Sequence, residues 1–203
     1  MAEAGTGRTG PPCPCHDHGM TSPAIPAPSI TGLGLRLRPW YEGDLRTMVE
    51  LFDHPEFATW TPLASPFDLD AARAYLDKSR TNRESGRVLQ FAVTTDGRTP
   101  LGEVLYVPRP DETPRAVEIA YGIGPRHRGR GLANRAVRLM VEHARQTDPS
   151  ARVVLRIAED NLASQGVARS AGFVLTDEDL VTRECPGRSP ALLRTWSHQP
   201  GAS

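Results

Sequence analysis

Leu35 and Leu37 alternate with Arg36 and Arg38, the period of a half-buried strand, and Pro39 ends the run. Leu45, Met48, Val49 and Phe52 then recur at three- and four-residue steps. That spacing puts them on one face of a helix, with Asp44 acidic at its start. Pro55 closes this segment, and a loop carrying Trp60, Pro62 and Pro66 follows. Ala71, Ala72, Tyr75 and Leu76 predict a second helix over 68–85, stopped by Gly86. Residues 89–94 and 101–107 read as strands joined through Asp96-Gly97, a hairpin signal. A polar loop over 108–114 leads to a strand at 117–123. Residues 132–146 carry the clearest helical stripe: Leu132, Ala136, Val137, Met140, Val141 and Ala144. A strand at 153–157, a helix at 162–171 ended by Gly172, and closing strands at 173–175 and 192–196 complete the chain. The order is β-α-α-β-β-β-α-β-α-β-β, without internal repeat, which is a mixed α/β (α+β) pattern.

Composition bounds this picture. At 203 residues the chain fits one domain, and folding buries roughly 70% of its extended surface at this size. Residues 1–32 are rich in Gly, Pro, Ser and Thr and read as a disordered tail, with the folded domain over 33–203. Within the tail, Cys13, Cys15, His16 and His18 form either a small metal-binding tract or a solvated run of soft ligands. The second half that a closed zinc site draws from elsewhere is missing, so no metal is expected. Met20 is an alternative start. Three cysteines, Cys185 being the third, make no disulfide framework, and a reducing compartment follows. With no apolar run long enough to span a bilayer and no signal segment, the expectation is a cytoplasmic protein. Lys+Arg and Asp+Glu are equal at 24 each, which argues against a general nucleic-acid binder.

The basic charge is local instead. Arg126-His127-Arg128-Gly129-Arg130-Gly131 lies between the strand at 117–123 and the helix at 132–146. Glycines let the backbone come close to a ligand, and the first helical amides and the helix dipole favour negative charge. Amides from about Arg128 to Ala133, including Gly129, Arg130, Gly131 and Leu132, are therefore candidates to hold a diphosphate, with Arg126, Arg128 and Arg130 adding charge. The competing reading is a solvated basic turn. A Walker-type loop is not expected, because no Lys or Ser/Thr stands at the helix start.

Arg126-x-x-Gly129-x-Gly131, Asn161-x-x-Ser164-x-x-Val167-Ala168 with Gly172-Phe173, and Glu118-Ile119-Ala120-Tyr121-Gly122-Ile123 running into Pro125 occur in one order. With weaker echoes at Arg38-Pro39, Glu42, Asp44 and Gly102, this resembles the GNAT N-acetyltransferases, in particular the RimJ/RimL-like branch, over about residues 33–197. The resemblance implies a mixed, mostly antiparallel sheet of about seven strands, helices on both faces, and splayed fourth and fifth strands. It also implies acetyl-coenzyme A as cosubstrate, its pantetheine arm lying between 117–123 and 153–157 against the backbone of Tyr121 and Ile123. Asn161 would bond the pantetheine by resemblance; on physical grounds it is equally a helix N-cap.

Acetyl transfer to an amine needs a base, an oxyanion donor and relief of the departing thiolate. Glu118 is the candidate base, acting directly or through a water; its other reading is a surface glutamate on an alternating strand. Ala120 and Gly122 are its small neighbours on that face. By resemblance the amide near Ile123 is the oxyanion donor. Ser164 is the candidate for a hydrogen bond to sulfur, against an ordinary first-turn serine. Trp40, Tyr41, Trp60 and Tyr106 fall where such enzymes line the acceptor pocket, though packing explains each alone. Cys185 is expected to be incidental. Two departures touch the acceptor side: Asn134-Arg135 replaces a frequent acidic pair, and Gly122 stands where the branch often has an aromatic.

The function expected is acetyl-CoA-dependent N-acetylation of a primary amine, a protein N-terminus or a small molecule, by direct attack in a ternary complex. A non-catalytic acyl-CoA sensor and, further off, an RNA-binding protein are the alternatives. Neither membrane nor nucleic acid is an expected partner; a homodimer is compatible.

Overall fold

The computed structural model describes Met1 and residues 29–185, 187 and 189–199. The Cys13 to His18 tract lies outside the described residues. Nine strands and five α-helices are described, in the order β1 (Ile30–Gly32), β2 (Leu35–Pro39), α1 (Leu45–Phe52), α2 (Pro55–Trp60), α3 (Leu69–Glu84), β3 (Leu89–Thr94), β4 (Gly102–Arg109), β5 (Ala116–Ile123), α4 (Leu132–Thr147), β6 (Arg152–Ala158), α5 (Leu162–Ser170), β7 (Phe173–Leu175), β8 (Val181–Arg183) and β9 (Ala191–His198). The strands form one sheet, ordered β1-β2-β3-β4-β5-β6-β9-β7, with β8 on β9. Every pairing described is antiparallel except β5 with β6.

Three differences from the sequence pattern have local causes. The sheet has two strands beyond the expected seven, β1 and β8, each three residues long and without a strong alternation of its own. Strand β1 takes its register from β2, so regular structure begins at Ile30 rather than Leu33. Helix α2 replaces the loop expected after Pro55. Proline there is the first helical residue, where its missing N–H costs nothing, and His54 caps the helix through Nδ1 to the Glu56 amide at 3.3 Å.

The sheet buries both faces. On one, α4 and α5 cover Leu37, Phe91, Val104, Ile119 and Leu155. On the other, α1, α2 and α3 pack Met48, Phe57, Phe67 and Leu76 over Ala92, with the Phe52 ring 5.8, 5.1 and 5.4 Å from the rings of Trp40, Phe57 and Phe67. Alternation along the strands then assigns Glu103, Leu105, Glu118, Ala120 and Gly122 to the α1–α3 face. Among the described residues no helix is long and apolar enough to cross a membrane, and no group of three or more His, Cys, Asp or Glu could hold a metal ion.

Candidate active site

Strands β5 and β6 pair only at Ala116, Val117 and Glu118 with Arg152, Val153 and Val154. Beyond that point β5 stays with β4 through Ile123, while β6 turns to β9 from Val154 to Ala158. The sheet therefore opens into a gap. The amide of Gly124 donates to Leu101 on the β4 side at 3.0 Å, so by alternation the amides of Tyr121 and Ile123 face the gap. This is backbone without a ladder partner, the kind an extended ligand can complete as an added strand. A cleft of about 1010 Å³ includes this gap.

The turn at the gap's end leaves a run of amides unengaged. Gly129 and Gly131 sit in the left-handed region at φ +73° and +67°, and no heavy atom lies within 4 Å of where either Cβ would be. Gly131 is the N-cap of α4 and provides no side-chain cap. The first bond into the helix runs from the Arg135 amide to the Gly131 carbonyl at 3.1 Å. Among the described residues, none of the amides from 128 to 134 donates to a protein acceptor. Arg135 reaches back to the carbonyls of Arg130 (3.3 Å) and Leu33 (3.1 Å) and so ties the turn to the β1–β2 hairpin. Asn134 donates to the Ser170 hydroxyl at 2.9 Å and joins α4 to α5. The pair that stands in place of acidic residues thus braces the loop.

The three arginines of the turn differ. Arg126 and Arg130 are exposed, and among the described residues neither guanidinium has a partner. Arg128 folds the other way, donating to the Ile123 carbonyl at 3.1 Å and pairing with Glu56 of α2. That pairing holds the Glu56 carboxyl below its ordinary value. The Arg128 side chain is thus engaged away from the turn, while its amide remains at it.

On the other side of the gap, Asn161 caps α5, its Oδ1 accepting from the Ser164 amide at 3.1 Å. Its side-chain nitrogen has no partner among the described residues, and the residue lines the cleft, so one oxygen caps while one amide is left for a ligand. The Ser164 hydroxyl also lines the cleft without a described partner. The Tyr121 hydroxyl donates to the Ser164 carbonyl at 3.3 Å; burial pushes that phenol up to about 12, so it stays protonated at neutral pH.

Glu118 does not stand free beside the cleft. Its side chain is 2% exposed and it is not a lining residue. Oε2 accepts from Arg109 (2.6 and 3.1 Å) and Arg156 (3.0 Å), and Oε1 from Arg183 (2.5 Å). Arg156 also pairs with Glu112. Three guanidiniums thus engage this carboxylate, three bonds on Oε2 and one on Oε1, where the sequence pattern had it as a candidate base beside the cleft. Arg156 and Arg183 themselves line the cleft.

The other aromatics divide by face. Trp60 lines the cleft, Trp40 is buried against Phe52, and Tyr41 is exposed under the Arg38 guanidinium. Tyr106 lies on the α4 face, 5.6 Å from the His143 ring, and does not line the cleft. Gly122 is explained by Phe57, whose ring would be 2.6 Å from a Cβ there; the aromatic group arrives from α2 instead of from the strand. Cys185 is a free, buried thiol at the cleft wall.

Sequence reading missed Glu103. This carboxylate is 5% exposed, lines the cleft, and accepts from the Tyr75 hydroxyl at 2.8 Å. Burial raises its pKa from 4.5 to about 7, against the lowering effects of Tyr75 and Trp40. Between these two values the folded state binds more protons than the unfolded one, so stability falls as pH rises through that window. The loss by pH 8 relative to pH 4 is about 3 kcal/mol from this group. Glu103→Gln should flatten that dependence, which thermal unfolding across pH 4–8 measures.

The chain belongs to the GNAT acetyltransferases: the family model for the acetyltransferase (GNAT) domain matches residues 34–174. Among solved structures, an acetyltransferase of Salmonella typhimurium that modifies the N-terminal serine of 50S ribosomal protein L7/L12 has a TM-score of 0.71 at 16% identity, covering 86% of this chain and 100% of its own. RimL, the ribosomal L7/L12 alpha-N-protein acetyltransferase, in complex with coenzyme A, gives 0.68 at 17% over 84% and 97%. The microcin C7 self-immunity acetyltransferase MccE with acetyl-CoA and AMP gives 0.68 at 16% over 80% and 91%. No curated protein matches.

Proposed function

We propose that this chain transfers an acetyl group from acetyl-CoA to a primary amine by direct attack in a ternary complex. The observation that carries this is one juxtaposition: a turn with unengaged amides at the end of a gap between β5 and β6. The fit to coenzyme A is chemical on both counts. Amides 128–134 and the α4 dipole suit a diphosphate, and the gap-side backbone of Tyr121 and Ile123 suits the amides of a pantetheine arm. RimL and MccE, of similar fold, hold coenzyme A and acetyl-CoA.

Each residue then has a task. Gly129, Arg130, Gly131, Leu132 and Ala133 bind the diphosphate through their amides, with Arg126 and Arg130 free to add charge. The Asn161 side-chain nitrogen orients the pantetheine. The Ile123 amide stabilises the tetrahedral oxyanion, and Ser164 donates to the departing sulfur. Glu118 positions Arg156 and Arg183 at the acceptor end. The acceptor is a peptide N-terminus, as for the Salmonella relative, or a small amine.

Calorimetry should give saturable acetyl-CoA binding, and thiol release should follow on adding spermidine or peptides starting with Ser, Ala or Met. Absence of acetyl-CoA binding would overturn the ligand assignment; binding without release across the panel would overturn the reaction.

A further inference from the structure

Glu103 is an unusual residue for its place. It sits on β4 with Ala92 of β3 and Gly122 of β5 as its register partners, inside a sheet face covered by helices. Among the described residues it makes no ion pair, in contrast to Glu118, which has three. Its polar neighbours come from α3, from β3 and from Trp40 after β2. From α3, Tyr75 donates to Oε2. The Trp40 indole N–H points toward it without closing a full hydrogen bond. Gln90 of β3 lies beside Tyr75 and accepts from Asn82 of α3 at 3.5 Å. Lys78 of α3 lines the same cleft. A carboxylate buried without a cation is costly, so one that lines a cleft is better explained by its chemistry than by stability.

Its position relative to the gap gives that chemistry a target. Glu103 is directly across from Gly122, one strand spacing away, about 4.8 Å. The next residue, Ile123, turns its amide into the gap. On the shared face, the strand residues between Glu103 and the gap are the small Gly122 and Ala120; the Phe57 ring lies over Gly122, and half-buried Ala120 lines the cleft beside it. Glu103, Ala120, Gly122 and Ile123 all line one continuous cleft.

We propose that Glu103, held by Tyr75, is the proton acceptor for the attacking amine. This rests on the N-acetyltransferase reading above. In the step, the acceptor ammonium gives one proton to Glu103. The freed nitrogen lone pair forms the N–C bond at the thioester carbonyl, and the C–S bond then breaks with its electron pair going to sulfur. The thiolate takes the remaining surplus proton of the nitrogen, and Glu103 releases its own to solvent. A base whose affinity for protons lies near neutral is matched to this task, and burial moves Glu103 into that range.

The test compares wild type, Glu103→Gln and Tyr75→Phe. Each is measured for acetyl-CoA affinity by calorimetry and for kcat/KM from pH 5.5 to 9.5 by thiol release, with spermidine and serine- and alanine-initiated octapeptides as acceptors. Glu103→Gln should keep acetyl-CoA affinity within about two-fold and lose roughly 100-fold or more in rate at pH 7. That loss should shrink as pH approaches the pKa of the amine, because solvent then supplies the free base. Tyr75→Phe removes a bond that favours the charged carboxylate, so its acid limb should move to higher pH. It also decides the matter if Glu103→Gln fails to fold. An unchanged rate in Glu103→Gln, a loss that is even at every pH, or an unmoved acid limb in Tyr75→Phe overturns the assignment of Glu103 alone. A wild type that binds acetyl-CoA but acetylates no acceptor overturns the enzyme reading and this assignment with it.

Discussion

Gly129→Glu should leave the fold standing and weaken acetyl-CoA binding by roughly 10²- to 10⁴-fold. The site tolerates the side chain, since nothing lies within 4 Å of a Cβ built there. The left-handed backbone at φ +73° costs a non-glycine residue about 1–2 kcal/mol, which lowers Tm by roughly 2–8 °C for a chain of this size. Binding suffers far more. A carboxylate among the amides from 128 to 134 competes for the diphosphate position and repels it. Hydrogen bonds to a charged group are worth about 1.5–3 kcal/mol each, so losing two costs about 3–6 kcal/mol, or roughly 10²- to 10⁴-fold in Kd. Gly129→Ala carries the same backbone strain without the charge and should keep most of the affinity. Calorimetry on both variants, with circular dichroism for folding, separates the effects. Equal affinity in Gly129→Glu and wild type would place the diphosphate elsewhere.

Glu118→Gln has the second large effect, and it falls on stability. Arg109, Arg156 and Arg183 all converge on this carboxylate, and the Arg156 side chain is only 7% exposed. Removing one member of a buried ionic group leaves the others without compensation, at about 3–5 kcal/mol. Tm should drop by roughly 6–20 °C. A glutamate acting only as a free base would give the opposite pattern, with Tm held and turnover lost. Differential scanning calorimetry together with kcat on the same preparation distinguishes the two. Tm within about 2 °C of wild type would return Glu118 to the reaction.

The difference between what could be read from residues 117–131 and what could not is one of range. The glycine-arginine turn is local: two glycines, flanking arginines and a helix start fall within the seven residues 126–132, and both glycines take left-handed backbone. Most elements carry their own periodicity and appear where that periodicity puts them. The ion cluster is another matter. Its arginines lie 9, 38 and 65 residues from Glu118, and no spacing rule links them. Glu103 is similar. Its partner Tyr75 is 28 residues away, and only the full register shows that it shares a face with Ala120 and Gly122. A faint signal was present, since a glutamate between Gly102 and Val104 in an apolar strand is out of pattern. The error at Pro55 came from a residue with two meanings, as proline both ends helices and begins them.

The three-residue ladder between β5 and β6 has a mechanical consequence. It is the only strand-to-strand seam described between the part of the sheet from β1 to β5 and the part from β6 to β9. A molecule laced into the opening above it would act as a rivet across two half-sheets, and every turnover would remove and replace that rivet. The protein should therefore be at its loosest between product departure and the next loading.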